Sequence, residues 1–188
     1  MSHMMIDLET LGVAINSPII SIGAVYFDPD TGILGNTFHE AIDLNSSLKF
    51  GKPNGDTIKW WMQQSDDARK SVTRGTRSIE DILGDFIQFA KRKDVNFLRV
   101  WGNGPTFDIS ILEVAIIRAL NVPAPWKFWN IRDCRTIMEL GNGVVDYEIT
   151  REGLHHNALD DAKHQAKWVS AYWQGLRSKK HDLVDDLL

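Results

Sequence analysis

The apolar residues of this 188-residue chain change their period once, near Asp56, and that change limits the folds open to it. Before it, MMID, PIISIGAVYF (residues 18–27) and NTFHEAIDL (36–44) read as strands, because β-branched runs and alternating apolar residues suit a pleated surface. DPDTG between the last two is a turn cluster and predicts a hairpin; it starts like a calcium loop but lacks the third oxygen residue and the closing Glu. After Asp56, TIKWWMQQ and SIEDILGDFIQFAKRK have helical spacing, the second opened by Ser78 as N-cap with Asp81 three positions on. NFLRVWG (96–102) predicts a buried strand, followed by a helix over 106–120. VPAPW is a loop, KFWNI a short strand, RDCRTIMEL a helix, GNGVVDYEITREGL irregular, and a closing helix covers 157–176. Three strands followed by alternating helix and strand predict a mixed α/β sheet with helices packed on it. The pattern gives one domain over 1–177 and a tail over 178–188, SKKHDLVDDLL being a frayed end or an interaction helix.

Charge narrows the functions. A net charge of −4 excludes the broadly basic surface of a protein that wraps long nucleic acid, but not one that grips a few nucleotides in a metal site. Cys134 is alone, so no intrachain disulfide forms and a reducing cytoplasm is the simplest compartment. No apolar run approaches the roughly 18 residues of a membrane span, and no signal-like start is present, so a membrane partner is not expected. Seven Trp are more than a core of this size needs, which points to a surface role for some.

The acids carry the chemistry. In MMIDLETLG, Asp7 and Glu9 are two apart on a strand and face the same way, about 6.6 Å apart along the chain. Two carboxylates on one face repel unless a cation sits between them, although an acid at a strand end also serves as a solvated cap. Projected on a helix, Asp108 falls inside the apolar arc of Ile109, Leu112, Ala115, Ile116, Ala119 and Leu120. An inward carboxylate needs an ion pair or a metal, or else it caps the helix start.

HHNALDD repeats one spacing, with His155 five positions before Asp160 and His156 five before Asp161. Ala158, Ala162, Ala166, Val169, Trp173 and Leu176 form the apolar stripe of the closing helix. Asp161 lies about 60° beyond one edge of that stripe and Asp160 nearly opposite its centre. Asn157 reads as the N-cap with Asp160 at the third helical position, which gives Asp160 a structural task. The pair in register is therefore His156 with Asp161. Asp7, Glu9, Asp108 and Asp161 form a hard oxygen set that suits Mg²⁺ or Mn²⁺. Two such ions can hold the attacking and leaving oxygens of an in-line phosphoryl displacement, with His156 taking the proton.

Asp-x-Glu on the first strand, N-x-x-x-F-D before the middle helix and a late H-x-A-x-x-D resemble the DEDDh group of DnaQ-like 3′–5′ exonucleases, which have an RNase H-like fold. The tyrosine-type branch places Tyr four residues before the last Asp, and Asn157 stands there. MIDLETLG, IISIGAVYFDPDTG, DTIKWWMQQS, VWGNGPTFD, PWKFWNIRDCRTI and HNALDDAKHQAKWVSAYW are similar to phage and prophage exodeoxyribonuclease VIII-like enzymes and to bacterial relatives that trim RNA 3′ ends. The resemblance implies four metal ligands (Asp7, Glu9, Asp108, Asp161), His156 as general base, and a single-stranded DNA or RNA 3′ end as partner. It places Thr10, Leu11 and Gly12 against the terminal nucleotide. Many relatives have His-Asn before the middle motif; Gly102-Asn103 stands here, which leaves Asn103 as a substrate-side candidate. Trp60 and Trp61 cannot share a helix face, so one belongs to the core and the other to base stacking, and Phe107 lines the site or the core. Relatives include dimers, and the Trp-rich segments offer surface for a homodimer. The rival readings are a catalytically silent nucleic-acid-binding module and an RNase H-like endonuclease.

Overall fold

The computed structural model describes residues 1–145 and 149–185, with side chains through Ser178. The middle of GNGVVDYEITREGL and the last three residues of the tail lie outside the described residues. Strands β1 (His3–Thr10), β2 (Ile19–Phe27) and β3 (Leu34–Ala41) precede helices α1 (Leu44–Leu48), α2 (Gly55–Met62), α3 (Asp66–Thr73) and α4 (Ile79–Ala90). Then come β4 (Arg99–Gly102), α5 (Asp108–Leu120), β5 (Ile131–Asp133), α6 (Cys134–Leu140) and α7 (Ala158–Asp185). The five-stranded sheet has the order β3-β2-β1-β4-β5. β1 and β2, and β2 and β3, pair antiparallel; β4 pairs parallel with both β1 and β5. The fold is the expected mixed α/β sheet.

Alternation along β1 assigns its two faces. Met4, Ile6 and Leu8 point into the larger core with α4 and α5, formed by residues such as Leu83, Phe86, Ile109 and Leu112. Met5 points the other way, into a second core with Val25, Trp101, Ile137, Ala162, Ala166 and Val169. Asp7 and Glu9 continue that second row, so they emerge on the α7 side at the carboxyl end of the central strand. A third cluster of Ile20, Trp61, Ala68 and Val72, with Leu11 against it, docks α2 and α3 on the sheet end.

Several boundaries differ from the sequence pattern. KFWN is a 3₁₀ turn, with the strand displaced to Ile131–Asp133 and Asp133 capping α6 through the Arg135 and Thr136 amides. Phe128 and Trp129 in that turn are exposed, so their strand-like character reflects ring size and not sheet burial. The short polar helices α1 and α3 open on side-chain caps, Asp43 onto Ser46 and Ser65 onto Ala68, and α3 has only Ala68 and Val72 as its apolar face. α7 runs unbroken past 177 to Asp185. DPDTG makes the hairpin turn: Gly32 N–H donates to the Asp28 carbonyl, and Asp30 accepts from Trp173 Nε1 and Arg177. No helix among the described residues is long and apolar enough to cross a membrane.

Candidate active site

The end of β1, the start of α5 and the start of α7 meet at one point. Asp108 is 3% exposed, and its Oδ1 accepts the Leu8 N–H at 3.1 Å. The α5 N-cap is Phe107, which makes no side-chain cap, and the Asp108 carboxylate reaches back to the Leu8 amide at the end of β1. Asp7 Oδ1 accepts from Gln165 Nε2 of α7 at 2.7 Å. Ligand atoms of Glu9, His156 and Asp161 lie within 4.8 Å of one another, close enough to share a metal ion.

Like charges held out of water resist ionisation, and these acids do so strongly. Burial pushes the Glu9 carboxyl up to about 8, with Asp161 and Asp108 adding repulsion and Arg151 opposing it. Burial also raises Asp108 to about 7, against the Leu8, Asp108 and Asn103 backbone amides and the Arg135 charge. Asp7 is raised by burial first, then by Asp108, Glu9 and Asp161, with Gln165 opposing. Burial lowers the His156 imidazole, and Asp161 only partly offsets this, so His156 is neutral at neutral pH.

The two halves of HHNALDD separate cleanly. Asp160 N–H is capped by Asn157 Oδ1 at 3.3 Å, and the Asp160 carboxylate turns back to accept the Leu154 N–H at 2.9 Å. His155 is exposed, whereas His156 adopts φ 60, a left-handed conformation that aims its ring toward the acids. The His156 ring stands edge-on to Trp60 at 4.7 Å and to Trp61 at 6.3 Å.

Beside Glu9 runs a groove of 510 Å³ lined by Thr10, Gly12, Trp60, Trp61 and Phe107, together with Asn54, Asp56 and Thr57. Trp61 is 6% exposed and donates its Nε1–H to the Thr10 carbonyl at 2.9 Å, while Trp60 is 39% exposed. Adjacent on the helix, they nonetheless border one groove, because Trp61 lies beneath it and Trp60 at its rim. Leu11 turns away to pack with Ile20 and Trp61. Asn103 lies across the middle loop, where its Oδ1 accepts from Arg135 Nε at 3.2 Å. Sequence reasoning missed Gln165, Arg135 and Arg151, whose guanidinium bonds Asp161. Only Arg151 had a signal, a lone cation in the loop leading into the acid motif.

The same fold recurs in solved structures of 3′-exonucleases. Superposition on S. pombe Pop2p in its Mg²⁺- and Mn²⁺-bound form gives a TM-score of 0.63 at 15% identity, over 93% of this chain and 85% of that one. The nuclease domain of 3′hExo, a DEDDh family member bound to rAMP, gives 0.56 at 16% identity over 92% and 91%. E. coli exonuclease I in complex with a dT13 oligonucleotide gives 0.65 at 12% over 98% and 43%. Such low identities speak for the fold. The chain belongs to the Rv2179c-like 3′–5′ exoribonuclease domain family, whose model matches residues 2–173. It is also similar to an exodeoxyribonuclease of Enterobacteria phage T4, 28% identical over 213 residues that span 94% of this chain and 92% of that protein. The protein is an enzyme, a 3′–5′ exonuclease by family.

Proposed function

We propose that this exonuclease shortens single-stranded DNA or RNA from the 3′ end and releases nucleoside 5′-monophosphates, using two divalent cations, Mg²⁺ or Mn²⁺, and His156 as general base. The observation that carries this reading is the gathering of Asp7, Glu9, Asp108 and Asp161 at one point, where burial raises Asp7, Glu9 and Asp108 and repulsion from neighbouring acids adds to it at Asp7 and Glu9. An all-oxygen donor set with one imidazole fits hard divalent cations. Such ions would neutralise the acids, polarise the phosphodiester and stabilise its transition-state charge. Asp7, Glu9, Asp108 and Asp161 are the ligands in this proposal. His156, neutral and flanked by Trp60, takes a proton from the attacking water. Trp60 and Phe107 hold the terminal base against the groove, and the Thr10 and Gly12 backbone lines the sugar side. The catalytic unit is residues 1–177, working in the cytoplasm, where the buried Cys134 thiol stays reduced; exposed Trp129 is a candidate homodimer contact.

The test uses matched DNA and RNA oligonucleotides labelled at the 5′ end, with Mn²⁺ or with EDTA. Products should shorten from the 3′ side with metal and not at all with chelator. Undiminished cleavage in EDTA would refute the two-metal proposal, and cleavage of a circular strand would favour the endonuclease.

A further inference from the structure

We infer that Arg135 is a phosphate clamp for the incoming strand, gripping the phosphodiester on the 5′ side of the scissile one, and that Asn103 positions it. The inference rests on the exonuclease reading of the neighbouring acids. Arg135 is the second residue of α6, and its side chain is exposed. Its only side-chain hydrogen bond among the described residues runs from Nε to Asn103 Oδ1 at 3.2 Å, and it makes no ion pair there. Asp133, two residues before it, is fully engaged elsewhere. One oxygen accepts the Gly104 and Arg135 amides, both at 3.2 Å, and the other accepts the Thr136 amide at 3.1 Å and its hydroxyl at 2.6 Å. Both Nη groups therefore remain open while Nε is pinned.

The backbone beside the guanidinium carries a glycine that its own left-handed conformation favours, and a side chain there would only touch the arginine. Gly104 has φ +100, and a Cβ placed there would lie 3.8 Å from Arg135 Nε and 3.9 Å from Cζ. The loop of Gly104, held to Asp133, leads through a Phe107 N–H to Gly104 carbonyl turn at 2.8 Å into Asp108. Arg135 lies close enough to Asp108 for its charge to act on that carboxyl, and Phe107, the residue before Asp108, lines the tryptophan groove. In this proposal a strand whose 3′ base lies in the groove and whose scissile phosphate lies at the acids leaves past this loop. A pinned guanidinium with two free Nη groups presents the planar fork that phosphate oxygens accept. The anionic site explains why such a cation is needed: the acids repel every phosphate that the metal ions do not neutralise.

The experiment compares wild type with Arg135→Gln, Arg135→Lys and Asn103→Ala, each checked for unchanged Tm, on a dinucleotide and on a long single strand. With Arg135→Gln, KM for the long strand should rise about 10-fold while KM for the dinucleotide moves by less than about two-fold, because only the long strand has a second phosphate. In a His156→Ala background, the plot of log affinity against log salt for the long strand should flatten by about 0.7, the signature of one lost phosphate contact on a single strand. Arg135→Lys should retain the slope, and Asn103→Ala should weaken long-strand binding by about 3-fold with the slope unchanged. An equal rise in KM for both substrates, or an unchanged salt slope for Arg135→Gln, would overturn the clamp. So would a change confined to calorimetric Mn²⁺ affinity, which would make Arg135 a modulator of Asp108. A wild type that shortens neither substrate would sink the exonuclease reading itself, a failure visible before any variant is made.

Discussion

At the scale of single residues, the roles proposed along HHNALDD differ by position because one step on a helix turns a side chain by about 100°. Asp161→Asn should abolish turnover by removing a metal ligand, and His156→Ala should lower it by about 10² to 10⁴ with metal binding largely kept. Asp160→Ala should cost at most about 1 kcal/mol of stability, and His155→Ala should leave turnover within a few-fold. Steady-state rates and thermal melts of the four variants check this alternation; a dead Asp160→Asn beside an active Asp161→Asn would reverse the register. A second expectation concerns pH. Glu9 and Asp108 are raised in the fold, to about 8 and about 7, above ordinary values of 4.5 and 3.8. Between those limits the folded chain binds more protons than the unfolded one, so the metal-free protein should lose stability as pH rises from about 4 to about 8. Divalent metal reverses the balance by favouring the ionised acids, so the gain in Tm on adding Mn²⁺ should grow over the same range. A flat melting curve in EDTA from pH 5 to 8 would show that these acids ionise freely. The sequence made this much legible because apolar periodicity locates the buried side of a helix: Ala158, Ala162, Ala166 and Val169 are all fully buried. Gln165 was not legible and Arg151 carried no signal beyond its place in the loop, since their partners Asp7 and Asp161 meet them only through tertiary packing.

At the scale of elements, the site depends on how closely α7 approaches the sheet. Gly23 of β2 pairs with Asp7, and a Cβ there would lie 2.1 Å from the Ala158 carbonyl carbon and 2.3 Å from the Leu159 nitrogen. Backbone meets backbone at that point, which sets the first turn of α7 and with it the reach of Asp161. Gly23→Ala should force the helix outward by about 1 Å, a displacement that can cost on the order of 10²-fold in rate. Activity and Mn²⁺ affinity should fall together while the far-UV spectrum stays native; full activity would show that α7 can shift without harm. A glycine inside SIGAVYF was a readable sign of close backbone approach, but nothing local said what approaches. The long elements were legible from their apolar period, whereas α1 and α3 were not, because helices of five and eight residues offer at most one apolar pair, Ala68 and Val72 in α3. KFWNI misled for the opposite reason, as exposed aromatics imitate a buried strand.

At the scale of the whole molecule, a net charge of −4 around an acidic site limits how many phosphates the protein can neutralise. Fewer than about four contacts correspond to a salt slope shallower than about −3 on single strands. Titrations of a labelled oligonucleotide at several salt concentrations should fall in that range, and a slope steeper than about −5 would reveal a basic surface that the charge count hides. The arrangement of the sheet has a further consequence for the making of the protein. Asp7 and Glu9 lie in the central strand, whereas Asp161 comes from the last helix, with most of the chain between them. A ribosome working at about 5–20 residues per second needs about 10–30 s to pass from the first acids to the last. Throughout that interval the nascent chain carries no His156 and no Asp161, so under the roles proposed for them its site is incomplete until α7 has been made.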